Sequence, residues 1–290
     1  MISKIIIIKS SGIRLYSKTF HGVDIIDDDF ISGFLTTILD ISLKIGGGEI
    51  RSLNFRNFNM TYSYDDEELC IFIIVADIYD PETELSRIME SMKAEFLSRY
   101  RDNIINWDDE ISKYEKFDDY TEKNVYIPPK ILLIGEDGVG KTTIMNLFPG
   151  EFLIELDDDM NEVIQKIIEL SKFKRIEKCE IREINIDEVN KNPQRYNELL
   201  ASANIVCFVT NSAASNLGRT RNDFSQIRPK VKRADIYIIA NFQDLVDISF
   251  EPGKIEELFG IKTFGFSAIS ENATHDIYSI INEMLGKIIL

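Results

Sequence analysis

Residues 130–143, KILLIGEDGVGKTT, constrain this chain more than any other stretch. Ile131 to Ile134 form a short apolar run of the kind that fills a central parallel strand. Gly135, Gly140, Lys141 and Thr142 complete the spacing G-x-x-x-x-G-K-[ST], and a helix is expected to open there. Glycines at these places let the backbone wrap closely around phosphate oxygens, with several N–H groups pointing inward. The helix start adds its positive end. In such a loop Lys141 supplies a point charge to the β- and γ-phosphates and Thr142 a hydroxyl to Mg²⁺. Asp137, Gly138, Val139 and Thr143 belong to the same cradle. A plain glycine turn is the alternative, and it does not account for strand, loop and helix start in this order. The pattern predicts nucleotide binding by an α/β unit.

Composition limits the other possibilities. At 290 residues, 44% hydrophobic and 28% charged, the chain has room for two globular units, each with a core. A net charge of −16 argues against a nucleic-acid partner and against adhesion to anionic lipid. The basic cluster Arg228, Lys230, Lys232 and Arg233 is expected to be a solvated loop or helix end. Cys70, Cys179 and Cys207 sit apart in apolar, strand-like segments, which fits buried free thiols in a reducing compartment. With only His21 and His275 present, a histidine zinc site or catalytic triad is not expected. No stretch approaches the ~18 apolar residues of a membrane span. The Ile5–Ile8 run is short and flanked by lysines, as a strand would be, and no myristoylation or prenylation signal is encoded. A cytoplasmic location without direct membrane insertion is expected.

The first half opens with a hairpin, Lys4–Lys9 and Ile13–Phe20 around Ser10-Ser11-Gly12. A helix is expected next, capped by Asp29, with Ile31, Phe34, Leu35, Ile38, Ile41 and Ile45 on one stripe and Gly46-Gly47-Gly48 at its end. Strands follow near Ile50–Phe55, Asn59–Tyr64 and Leu69–Asp77, with the all-apolar Cys70–Ala76 in the middle of the sheet. Asp80-Pro81-Glu82 carries an N-cap, a proline at the first helical position and an early acid. Leu85, Ile88, Met89, Met92, Phe96 and Tyr100 form the buried stripe of that helix. Two strands, a helix, three strands and a helix make an α+β layer with an antiparallel sheet.

Over roughly residues 1 to 120 this half resembles the longin (SNARE-like) domains, relatives of the roadblock family. The resemblance rests on KSSGIRLYSKTF, DDDFISGFLTTILDIS and ELCIFIIVADIYDPETEL. It implies a protein-interaction platform of the kind found in trafficking and GTPase-regulating complexes, and a homodimer or another longin or roadblock protein as partner. The acidic, aromatic extension that follows carries Trp107, Tyr114, Phe117 and Tyr120, which are expected to pin it back onto this domain. Pro128-Pro129 marks the boundary between domains 1–127 and 128–290, with no flexible tether, so a fixed relative position is a hypothesis.

Two later elements of the second half discriminate among nucleotides. Strand-like Ile236–Ala240 ends in Asn241-Phe242-Gln243-Asp244, and Thr263–Phe266 leads into Ser267-Ala268-Ile269. These are similar to the NKxD and SA[KLT] motifs of Ras-like GTPases. ANFQDL resembles ANKQDL of the Arf family, and GEDGVGKTT its GLDAAGKTT, so residues 130 to 290 resemble a Ras-superfamily G domain. The resemblance implies GTP or GDP with Mg²⁺ as cofactors. Asp244 is then the reader of guanine N1 and its 2-amino group, Asn241 the brace of the loop, and Ala268 N–H the donor to guanine O6. Phe242 departs from the family lysine, whose stem covers the base; the phenyl ring offers stacking instead.

The catalytic elements depart further. Cys179–Ile186 resembles the strand before the family's DxxG motif, which makes Asp187 the candidate second Mg²⁺ residue beside Thr142; the alternative is that Asp187 merely ends a strand. Asn190 stands where the family has glycine and Lys191 where it has the water-positioning glutamine, with Gln194 three residues on. No threonine occurs between Thr143 and Thr210 to serve as the first switch. Asp157-Asp158-Asp159 precede a run, Val163, Ile164, Ile167, Ile168 and Leu170, expected to be a helix capped by Asp159. The alternative gives Asp157 or Asp158 a place near Mg²⁺. Arg195, Arg219 and Arg221 are unranked candidates for an internal arginine finger. Such departures imply very slow intrinsic turnover, since positioned water and charge stabilisation carry phosphoryl transfer. A guanine-nucleotide switch or scaffold is the first expectation, a pseudo-GTPase holding nucleotide structurally the second, and a P-loop kinase or ATPase the third.

Overall fold

A computed structural model describes every residue except 21–32, 34–36, 38–51, 57, 66, 68, 108, 157–161, 172–176 and 290. The chain divides into two compact units, Met1–Ile127 and Pro128–Leu290. The expected helix after Asp29 lies outside the described residues, apart from Gly33 and Thr37, which are both helical.

In the first unit β1 (Lys4–Lys9), β2 (Arg14–Thr19), β3 (Ser52–Asn54), β4 (Phe58–Tyr64) and β5 (Cys70–Asp77) form an antiparallel sheet in the order β2-β1-β5-β4-β3. All eight residues of β5 are buried because the strand is central and both faces of the sheet are covered. Alternation divides the apolar residues between those faces. Ile5, Ile7, Phe72 and Ile74 pack into one cluster with α1 (Glu82–Ile105), through Leu85, Ile88, Met89, Met92, Phe96 and Tyr100. Ile6, Ile8, Ile71, Ile73, Met60 and Tyr62 build the other cluster.

Asp80 does not cap α1. Its carboxylate accepts from the Asp77 N–H at 3.1 Å and from the Met1 amine at 2.8 Å, and Pro81 holds the cap position in an extended conformation. The strand end outcompetes the helix end for this side chain. The aromatic extension folds back as expected. Tyr114 and Phe117, in a 3-10 turn over Ser112–Phe117, are fully buried and ring-pack on Phe96 at 5.6 and 5.0 Å.

A short helix α2 (Asp118–Asn124) follows, and Asp118 ties it to β2. The Tyr16 hydroxyl donates to Asp118 at 2.6 Å and Lys18 Nζ at 2.7 Å. Burial alone would raise the Asp118 carboxyl, but those two bonds and the lysine charge outweigh it and hold the group below its ordinary range. A depressed carboxyl stabilises the fold above the unfolded value near pH ~4 and loses that contribution as pH falls through the folded value. Wild type is therefore expected to exceed Asp118→Asn in urea-unfolding stability at pH 7, by under about 1 kcal/mol for so exposed a pair, and the gap should close as pH falls through the folded value.

The second unit is a mixed α/β sheet in the order β12-β11-β10-β6-β9-β8-β7. Its parallel core is β6 (Lys130–Gly135), flanked by β9 (Lys178–Asn185) and β10 (Ile205–Thr210), then β11 (Asp235–Ala240) and β12 (Thr263–Gly265). β7 (Leu153–Leu156) and β8 (Glu162–Glu169) add an antiparallel edge beside β9. The helices are α3 (Lys141–Asn146), α4 (Ile186–Lys191), α5 (Pro193–Ser202), α6 (Ala214–Ile227), α7 (Pro252–Phe259) and α8 (Ala273–Ile289). In parallel α/β sheets ligands gather beyond the carboxyl ends of the strands. Gly135, Asn185, Thr210 and Ala240 all lie at such ends, and the loops after them build the site.

The expected helix over Val163–Leu170 is a strand, β8. Its apolar positions fit either period, but β-branched residues favour a pleated surface and β9 supplies an antiparallel ladder from Gln165↔Arg182 to Glu169↔Lys178. Asp157, Asp158 and Asp159 lie outside the described residues. All three cysteines are buried and free, and burial pushes their thiols up, Cys70 to about 12. Among the described residues no helix is long and apolar enough to cross a membrane.

Candidate nucleotide site

The loop after β6 curls back on itself. Lys141 is buried and lies along the loop, its Nζ donating to the Gly135 carbonyl at 2.9 Å and the Glu136 carbonyl at 2.7 Å. Burial lowers the Lys141 ammonium, while the carboxylates of Glu183, Asp137, Glu188 and Glu136 act in the opposite sense. Two glycines are fixed by close approach. A Cβ on Gly135 would stand 2.5 Å from the Val209 carbonyl oxygen on the neighbouring strand. Gly140 has φ +98°, and its Cβ would meet Asn241 Nδ2 nearer than 3.0 Å.

That second contact exists because Asn241 comes to the loop. From the end of β11 its Nδ2 donates to the Val139 carbonyl at 3.0 Å, and its Oδ1 accepts the Ala268 N–H at 3.1 Å. One buried amide thus latches together three segments far apart in sequence. Asp244 is exposed, with Oδ1 accepting from the Ser267 hydroxyl at 2.6 Å and the other oxygen left for a ligand. Phe242 adopts φ 64°, unusual for a bulky residue, and its carbonyl is held by the Ser249 hydroxyl at 2.6 Å. The ring edge lies 3.9 Å from the Gly140 Cβ position, against the phosphate loop. Ile269 is 78% exposed beside this corner. The Ala268 N–H, expected to meet guanine O6, donates to Asn241 Oδ1.

Thr142 Oγ1 donates to Glu183 Oε2 at 2.8 Å, whereas Asp187 sits in the first turn of α4 with its carboxylate 3.6 Å from the Arg219 guanidinium. The strand turns helical before Asp187, and Asn185 caps that helix by accepting the Asp187 N–H at 2.8 Å. Glu183 stands within β9 opposite Leu133, two residues before the strand end. A hydroxyl beside a carboxylate is a hard-oxygen donor pair suited to Mg²⁺, which takes one or two carboxylates and completes its shell with phosphate and water. No cluster of three or more acidic, histidine or cysteine ligands occurs among the described residues, as such a site requires none.

Other residues had only weak signals in the sequence. Asn216 is buried, accepts from the Thr210 hydroxyl at 2.7 Å and donates to Glu136 at 2.9 Å. Ser212, also buried, donates to the Asn241 carbonyl at 2.6 Å and accepts from Gln243 at 2.9 Å. Both follow the buried β10 strand in TNSAASN, a polar run after an apolar strand. Arg219 bridges Glu136 at 3.1 Å and Asp187, while Asn190 donates to Asp223 at 2.9 Å. Lys191 and Gln194 are exposed.

The segment after α3 is tied down rather than open. Lys166, 3% exposed on β8, donates to the Phe148 carbonyl at 2.6 Å and the Met145 carbonyl at 3.3 Å. A buried ammonium therefore adds a second donor to the Met145 carbonyl, which also accepts the Phe148 N–H, and holds the Phe148 carbonyl just beyond α3. Lys166→Met should keep the stem's packing but lose both bonds, costing about 1–3 kcal/mol in urea unfolding. Amide exchange around Leu147–Gly150 should quicken in the same variant, and unchanged exchange would contradict this role.

Solved structures that resemble this chain include two from one transporter. The cytosolic domain of the T. maritima FeoB iron transporter, in its GMPPNP form, matches at 15% identity and a TM-score of 0.41, over 55% of this chain and 63% of that one. The G domain of the same transporter matches at 16% and 0.43, over 55% of this chain and 99% of that one. This chain thus spans less than two thirds of the first. No protein-family model and no curated protein matches it. The site's own chemistry must carry the functional argument.

Proposed function

We propose that residues 128–290 form a G-domain-like unit that binds guanine nucleotide with Mg²⁺, as a switch or scaffold with slow or partner-dependent hydrolysis. The observation that carries this is the Asn241 latch, which holds the phosphate loop and the base-reading corner in one frame. The phosphates lie in the cradle of residues 135–143, with Lys141 reaching the β- and γ-positions. The free oxygen of Asp244 accepts guanine donors that adenine lacks, and Phe242 stacks on the purine. With Ala268 N–H engaged, the donor left for guanine O6 is the next N–H, of Ile269. Thr142 and Glu183 would hold the metal, with Asp187 the further candidate. When bound, Mg²⁺ supplies charge neutralisation across the phosphates.

Slow turnover is supported by Lys191 in place of a glutamine and by the Lys166 tie on the segment after α3. The same two features favour a second reading, a pseudo-GTPase in which nucleotide is structural. The first unit serves as the interaction platform, of longin type, in trafficking or signalling; its support is the five-stranded antiparallel sheet with α1 on one face. Calorimetric titration of the full chain with GDP, GTP, ADP and ATP in Mg²⁺ buffer tests the binding claim: guanine nucleotides should bind at least about a hundredfold tighter. Equal affinity for adenine nucleotides would defeat it. Single-turnover cleavage of bound GTP separates slow hydrolysis from none.

A further inference from the structure

Asp137 is the second residue inside the phosphate loop, and its carboxylate is exposed. Its Oδ1 accepts from Asn185 Nδ2 at 2.6 Å. The neighbouring carboxylates are otherwise engaged. Glu136 faces Asn216 and Arg219, Glu183 accepts from Thr142, and Glu188 accepts from the Tyr196 hydroxyl at 2.7 Å. Asp137 differs from them in place: it belongs to the loop itself, and its bond to a neutral amide leaves its negative charge at the mouth of the cradle.

The side on which it stands matters. A phosphate-loop lysine reaches the β- and γ-phosphates, and the threonine faces the metal that bridges them. Thr142 leans on Glu183 of β9, so the γ-phosphate belongs on the β9 side of the loop. Asn185 is the last residue of β9, and it holds Asp137 on that side too. Arg219, the nearest guanidinium, is already shared by Glu136 and Asp187.

We propose that Asp137, oriented by Asn185, makes the site select against the γ-phosphate, so that the chain holds guanosine diphosphate in preference to the triphosphate. This rests on the guanine-nucleotide reading above. A full negative charge within a few ångströms of a phosphate, at the permittivity of a protein surface, weakens binding by a factor of about ten or more. The diphosphate leaves that position empty and escapes most of the repulsion. The cradle is then biased toward one state before any hydrolysis occurs.

The test is calorimetric affinity of the full chain for GDP and for a non-hydrolysable GTP analogue in Mg²⁺ buffer. Wild type should prefer GDP by about tenfold or more. Asp137→Asn should close that gap by about tenfold through tighter analogue binding, with GDP moving less than about threefold. Asn185→Ser keeps an oxygen for the Asp187 N–H but withdraws the amide that orients Asp137, so it should narrow the gap. A gap unchanged in both variants, or GDP and analogue moving together, overturns the inference, as does equal affinity of wild type for both. Wild type that binds neither nucleotide defeats the guanine-nucleotide reading itself, a distinguishable result.

Discussion

Gly140→Ala should weaken guanine-nucleotide binding by about a hundredfold or more and destabilise the second unit by about 1–3 kcal/mol. Two effects act together. Gly140 sits at φ +98°, where an L side chain is strained. The added methyl would also displace Asn241 Nδ2, which stands nearer than 3.0 Å to its position. Losing that amide strips the Val139 carbonyl and the Ala268 N–H of their buried partner at once. Gly138→Ala provides the contrast. Its φ is +77°, but nothing lies within 4 Å of the new Cβ, so only the backbone strain of about 1 kcal/mol should appear in the nucleotide-free protein. Equal destabilisation by the two substitutions would show that the latch contributes nothing.

Asp244→Asn should reverse the base preference while leaving the fold intact. The amide retains an oxygen for the Ser267 hydroxyl, now 2.6 Å from Oδ1, so thermal stability should barely change. Its NH₂ group, however, meets the guanine N1–H and 2-amino donors with another donor. One or two buried mispairings at about 1–3 kcal/mol each predict a loss of ~10 to 10⁴-fold for GDP. Xanthine carries a carbonyl where guanine has its 2-amino group, so xanthosine diphosphate should gain affinity in this variant. Competition of bound fluorescent GDP by both nucleotides reads the exchange. If neither affinity moves, Asp244 does not read the base.

Much of the phosphate cradle was legible because its constraints are local. Gly135, Gly140, Lys141 and Thr142 need one strand, one turn and one helix start, all set by neighbouring residues. The central place of β5 was likewise legible, because its apolar run Cys70–Ala76 requires cover on both faces. Readings failed where a distant partner decided the outcome. Lys166 and Gln165 are buried polar residues on β8, so hydrophobic periodicity could not separate strand from helix there. Only the ladder to β9, with Lys166 bonded to the Phe148 and Met145 carbonyls, settles it.

Glu183 and Asp187 teach the same lesson. Spacing alone pointed to the acid after the strand, but the residue that reaches Thr142 depends on the parallel register that sets Leu133 against Glu183. Asn185, not Asp187, then ends the strand because its side chain caps α4. The bond from the Ala268 N–H to Asn241 Oδ1 was hidden for a related reason: it forms only when the chain closes.

The most direct measurement is to denature the freshly purified full chain and identify the nucleotide released, with its phosphate state, by chromatography. The account predicts a guanine nucleotide at close to one per chain, predominantly the diphosphate. Adenine nucleotide in its place would contradict it, as would an empty protein that then takes up neither GDP nor GTP in magnesium buffer.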